Sequence, residues 1–146
     1  MFKCKTIVTI ILSAILSLFA FASCKDAAVS ATVIEASETL LVVRVDETDG
    51  AATLLDAMNA LQEEGEISFE IADGMITSVG GKANETDPSM TSGTSWMLYT
   101  SDAANANADY GKEYNGATYG SSNYGASQLI VVEDGYYIWA YEAWSF

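Results

Sequence analysis

Residues 6–23 carry no charge and follow Lys3 and Lys5, the positive-then-apolar order of a secretory signal, so residues 1–23 are expected to be removed rather than folded. What remains must fold outside the cytoplasm, where disulfides could form. Yet its one cysteine is Cys24, because the other, Cys4, lies in the leader. Packing alone has to hold this chain together. Residues 39–146 are long enough for one ordinary core, and so for one domain.

The leader ends in Phe21-Ala22-Ser23-Cys24, which looks like a lipobox, where small residues precede a cysteine that takes a diacylglycerol. Phe21 stands where leucine is usual. On this reading Cys24 is lipidated and the domain is held in the bilayer at the outer face of a cell membrane, since several acyl chains anchor stably where one does not. Two alternatives stay open. Cleavage after Ala20-Phe21-Ala22 would give a secreted domain, and an uncut leader would act as an anchor, although a span needs about 20 apolar residues and this run is shorter. Residues 24–38, rich in Ala, Ser, Val and Thr without a clear period, read as the lipidated cysteine and a flexible tether.

Four of the six basic residues (Lys25, Arg44, Lys82 and Lys112) lie beyond the leader, together with all 20 acidic ones. Phosphate backbones are bound by basic side chains, so nucleic acid is excluded as a partner, and anionic headgroups would repel this surface. Such acidity keeps a protein soluble, and it also attracts cationic ligands.

Residues 39–45 are β-branched and apolar and predict a strand with Leu41, Val43 and Val45 on one face. Residues 46–50 make a polar turn, whose acids lack the spacing of a calcium loop. Thr53-Leu54-Leu55-Asp56 is a capping box. It opens a helix with Leu54, Leu55, Met58 and Leu61 inward, closed by Gly65. Ile67, Phe69 and Ile71 alternate with Ser68, Glu70 and Ala72, and Asp73-Gly74 turns that strand into a second over residues 75–79. Residues 82–93 read as a loop, 94–100 as a strand around Trp96, 128–132 as another, and 136–143 as the last, with Tyr137, Trp139 and Tyr141 sharing a face.

Between residues 101 and 127 aliphatic side chains are scarce, while Tyr110, Tyr114, Tyr119 and Tyr124 alternate with Gly111, Gly116, Gly120 and Gly125. This predicts a long Tyr/Gly-rich loop insertion, a length that in compact domains is often functional. Tyrosines on such a backbone either offer contact surface or pack the loop onto the sheet. The expected class is α+β, with one helix on a small mixed β-sheet.

Several segments in this order resemble the transcobalamin-like C-terminal domain family, found in bacterial lipoproteins and surface proteins and at the end of animal cobalamin carriers. They are Thr53-Leu54-Leu55-Asp56-Ala57-Met58, Ile76-Thr77-Ser78-Val79-Gly80-Gly81, Trp96-Met97-Leu98-Tyr99, and Glu133-Asp134-Gly135 before Ile138-Trp139-Ala140-Tyr141. The resemblance covers residues 39–144 and implies a β-grasp-like fold and a corrinoid as a possible ligand. The chain departs from the family pattern after Trp96-Met97-Leu98-Tyr99, where Thr100-Ser101-Asp102 and the Tyr/Gly segment replace a Val-Asn-Gly turn. It also lacks the helical barrel that supplies the other half of a cobalamin site in animal carriers.

The sequence has no histidine, and the expected lipid occupies its one mature cysteine, which removes His-dependent triads, thiolate nucleophiles, and thiolate or imidazole metal sites. The expectation is therefore not an enzyme but a binding module without a resident cofactor. Trp96, Tyr99, Trp139 and Tyr141, with Tyr110, Tyr114, Tyr119 and Tyr124, would stack on a flat ligand such as a corrinoid. The other reading is an adhesion or interaction module that docks an envelope protein and takes no small ligand.

Overall fold

The computed structural model describes residues 28–146; the leader, Cys24 and the first residues after it lie outside the described part. The chain runs through β1 (Val29–Ala36), β2 (Leu40–Thr48), α1 (Leu54–Glu63), β3 (Phe69–Ala72), β4 (Met75–Val79), β5 (Lys82–Ala83), β6 (Glu85–Thr86), β7 (Ser92–Thr100), β8 (Ala106–Tyr114), β9 (Ala117–Ser122) and β10 (Tyr136–Ser145). The class is α+β, mostly antiparallel sheet with one short helix. Seven strands form one sheet in the order β1-β2-β10-β7-β9-β8 with β6 also beside β7, and β3-β4-β5 form a second. A mixed sheet was expected, but every strand pairing among the described residues is antiparallel.

Helix α1 starts where its sequence says it should. The Thr53 hydroxyl accepts from the Asp56 N–H at 3.2 Å, and the Asp56 carboxylate accepts from the Thr53 N–H at 2.7 Å, so two otherwise orphaned donors are satisfied. It stops at Gly65, whose φ of 79° lets the Gly65 and Glu66 N–H groups turn back onto the carbonyls of Gln62 and Leu61. Leu54, Ala57, Met58 and Leu61 are buried against Leu41, Val43 and Val45 of β2 and against Tyr137 and Trp139 of β10. Fully burying one such aliphatic side chain contributes about 2 kcal/mol, so this face supplies much of what disulfides cannot.

Three expectations need correcting. Residues 29–36 are not tether: they form β1, which pairs along β2 and sets Val29, Ala31 and Val33 against the main core. Residues 101–127 are not a loop: after a 3-10 turn (Ala103–Asn105), β8 and β9 form a hairpin through Asn115-Gly116, both at positive φ. Residues 128–132 make no strand beyond a single antiparallel bridge between Thr53 and Ile130, which the Leu54 N–H to Leu129 carbonyl and Val131 N–H to Ala52 carbonyl bonds close beside the helix start. A smaller departure is Ile71, which a register shift after Glu70 leaves 39% exposed.

The β8–β9 hairpin also explains the second face of the sheet. Tyr114 and Tyr119 pack with Leu40, Met97 and Tyr136 onto Val42, Tyr99, Ile138 and Ala140, while the Tyr114 hydroxyl reaches Glu35 on β1 at 3.0 Å. The hairpin thus lies across the face opposite α1, and both faces of the sheet are covered.

Candidate functional site

The eight rings expected to form one platform are divided between the two faces of the sheet. Strand alternation puts Trp96 of β7 with Trp139 and Tyr141 of β10 on the α1 side, and Tyr99 on the other. Trp96, Tyr99 and Trp139 are buried, at 5%, 9% and 4% exposure, so none presents an open stacking face. Tyr141 leans on Trp96 with ring centres 5.2 Å apart, donates its hydroxyl to the Ala83 carbonyl at 2.8 Å, and carries the Lys82 ammonium over its ring at 4.4 Å. Tyr114, Tyr119 and Tyr136 form a run of tilted contacts, each 6.3 Å between centres. Tyr110 and Tyr124 remain exposed.

Under the hairpin sits a polar cluster that sequence spacing did not reveal. The Tyr99 hydroxyl donates to Glu142 at 2.5 Å, and Lys112 of β8 pairs with the same carboxylate. Burial, and then the neighbouring Glu142 carboxylate, push the Tyr99 phenol up to about 12. Burial also works to raise Glu142, but the hydrogen bonds from Lys112 and Tyr99 outweigh it and hold this carboxyl below its ordinary value. All of its groups are engaged with one another, and the cluster fastens β8 to the main sheet.

Where β7 lacks a neighbour, a groove opens. Its inner edge pairs with β10 along the whole strand, from Ser92 to Thr100. Its outer edge pairs with β6 at Gly93 and Thr94 and with β9 at Tyr99 and Thr100; among the described residues no strand lies beside 95–98 on that side. A groove of about 460 Å3 runs there, lined among others by Met75, Asn84, Trp96, Leu98, Tyr124 and Trp139, and no lining residue carries a formal charge. Asn84 fills one end as a substitute strand, its Oδ1 accepting from the Trp96 N–H at 2.9 Å and its Nδ2 donating to the Ile76 carbonyl at 3.1 Å. Alternation along β7 turns the Trp96 carbonyl and the Leu98 N–H the same way as that N–H, toward the groove. The indole Nε1 of Trp139 is buried and has no hydrogen-bond partner among the described residues. Such a donor costs about 1–3 kcal/mol to leave unpaired.

The sequence expectation thus named two residues of the groove wall, Trp96 and Trp139, and the rim residue Tyr124, though for a different surface. It missed Met75, Asn84 and the backbone edge. Only the polar Asn84 within an otherwise short-stranded stretch hinted at a side chain standing in for a strand.

The basic side chains among the described residues are three, and each is engaged: Arg44 with Asp46 at 2.5 Å, Lys112 with Glu142, and Lys82 over Tyr141. The described residues hold no cluster of three or more His, Cys, Asp or Glu placed for a metal ion, and no helix long and apolar enough to cross a membrane. No family model, curated protein or solved structure matches the chain.

Proposed function

We propose that this chain is an extracytoplasmic binding module, held at a cell membrane through acylated Cys24, that takes its ligand in the groove beside β7 and performs no catalysis. The groove is the observation that carries this reading: an uncharged, largely apolar cleft of about 460 Å3, of a size that suits small-ligand sites. The hairpin-helix-hairpin order and a helix lying on a sheet support the β-grasp-like description, while the antiparallel pairing throughout departs from a mixed sheet. The resemblance to transcobalamin-like C-terminal domains makes a corrinoid the first flat ligand to test. Such a macrocycle with its side arms exceeds the groove, which would seat only its edge.

Titrating the domain with cobinamide and cobalamin while following tryptophan fluorescence tests the corrinoid version, because Trp96 and Trp139 both line the groove. Quenching that saturates supports it, and an unchanged spectrum at near-millimolar ligand removes it. Replacing Cys24→Ala tests the anchor: the domain should leave the membrane fraction for the medium, and unaltered membrane attachment would sink the lipoprotein reading. The second reading, docking of a protein partner, is favoured by a specific observation, the open edge of β7.

A further inference from the structure

We infer that the groove beside β7 receives an extended, uncharged or basic polypeptide segment of another protein, which pairs with the interrupted strand edge between β6 and β9. This rests on the groove being the binding site, as proposed above, and deepens the second of its two readings.

The backbone argument comes first. On its outer edge β7 is already a template for strand pairing at both ends, at Thr94 by Glu85 and at Thr100 by Gly120, and residues 95–98 between them form the gap. Asn84 takes the Trp96 N–H, which leaves the Trp96 carbonyl and the Leu98 N–H directed into the gap. An N–H and a C=O of an incoming strand can meet that acceptor and that donor, in the pairing mode by which extended peptides add to sheet edges. A gap of four residues spans roughly 13 Å, enough for a short segment and too little for a long strand.

Side chains set the chemistry of the occupant. Met75, 69% exposed, and Tyr124, 50% exposed, stand at the groove, with Trp96, Leu98 and Trp139 in its wall, so alternate side chains of the segment meet apolar surface. Charge sets the sign. The three cations of the described residues are engaged within the fold, whereas the chain has 20 acids in all, so an acidic segment would be repelled and a basic one drawn in.

The test uses the soluble domain, with 15N labelling, and the capped peptide Lys-Thr-Val-Thr-Val-Thr-Lys as probe. The expected result is saturable shifts of the Trp96 and Leu98 amides and of the Trp139 indole. Affinity should fall about tenfold when alternate peptide nitrogens are methylated, and should fall again when glutamate replaces the terminal lysines. Met75→Lys should weaken the lysine peptide and Met75→Glu strengthen it, with both variants keeping the parent spectrum elsewhere because this side chain is exposed. Binding indifferent to backbone methylation overturns the strand-pairing inference, as do shifts confined to other surfaces. If cobinamide moves the groove signals and the peptide does not, the inference fails while the groove reading stands. If neither moves them, both fail.

Discussion

At the scale of single residues, the Tyr99–Glu142–Lys112 cluster shows how a β-rich chain without disulfides fastens a distant hairpin. The folded Tyr99 value, about 12, lies above the ordinary 10.0, so folding favours the neutral phenol. That contribution is whole below pH 10 and is lost as pH rises through about 12. Tyr99→Phe removes the donor 2.5 Å from Glu142, and should lower stability by about 1–2 kcal/mol in urea denaturation and raise the Glu142 carboxyl toward its ordinary value in an NMR titration. An unshifted Glu142 would mean that Lys112 alone holds it. Gly93 serves a different purpose: a Cβ there would come within 2.3 Å of the Glu85 carbonyl and 2.7 Å of the Trp144 ring, so only glycine lets β6 lie against β7 at the groove's end.

At the scale of elements, what was legible depended on how local each signal is. The helix could be read to within a residue because its capping box, apolar spacing and stop glycine are all local. Strands β4, β7 and β10 carried β-branched or aromatic side chains in alternation, and they formed. Strand β1 was missed because Val29-Ser30-Ala31-Thr32-Val33 alternates with small side chains, a composition that also suits tethers. The hairpin was missed for a similar reason, although Asn115-Gly116 is among the strongest two-residue turn signals. Two of the glycines of this segment, Gly111 and Gly120, allow close approach: a Cβ on Gly120 would lie 2.7 Å from that of Ala106 and 3.0 Å from the Asn107 carbonyl. Gly120→Ala should therefore cost about 1–3 kcal/mol, whereas Gly125→Ala, whose new carbon would meet nothing nearer than 3.7 Å, should stay within about 0.5 kcal/mol. Equal effects, measured in the same denaturation series, would show that the hairpin does not depend on that contact. The groove itself was not legible, since its walls come from five separated stretches and its defining feature is a strand that is not there.

At the scale of the whole molecule, two electrostatic effects oppose each other as pH falls. Thr32 and Arg44 hold Asp46 below its ordinary value, the Ser89 hydroxyl and the Ser92 amide take Asp87 down to about 2, and Lys112 and Tyr99 keep Glu142 low against its burial. Depressed carboxyls contribute stability that is present above their ordinary values and is lost as pH falls, for Asp87 from 3.8 through about 2. Against this, a formal net charge of −14 at pH 7 repels itself, and protonating the unpartnered acids relieves it. The melting temperature at low salt should therefore peak at about pH 4–5, and added salt should raise it more at pH 7 than at the peak. A flat salt response at pH 7 would show that the surface charge carries no appreciable strain.

Because β1 begins at Val29 and not at residue 39, an acylated Cys24 would leave a very short leash. Five residue steps reach at most about 17 Å. Pairing sets Ala36 opposite Leu41, Leu41 opposite Trp139 and Trp139 opposite Leu98, so the groove lies level with the far end of β1 and three strands across. It could then stand no farther than about 45 Å from the headgroups. A partner rooted in the same bilayer would therefore meet the groove at or below that height.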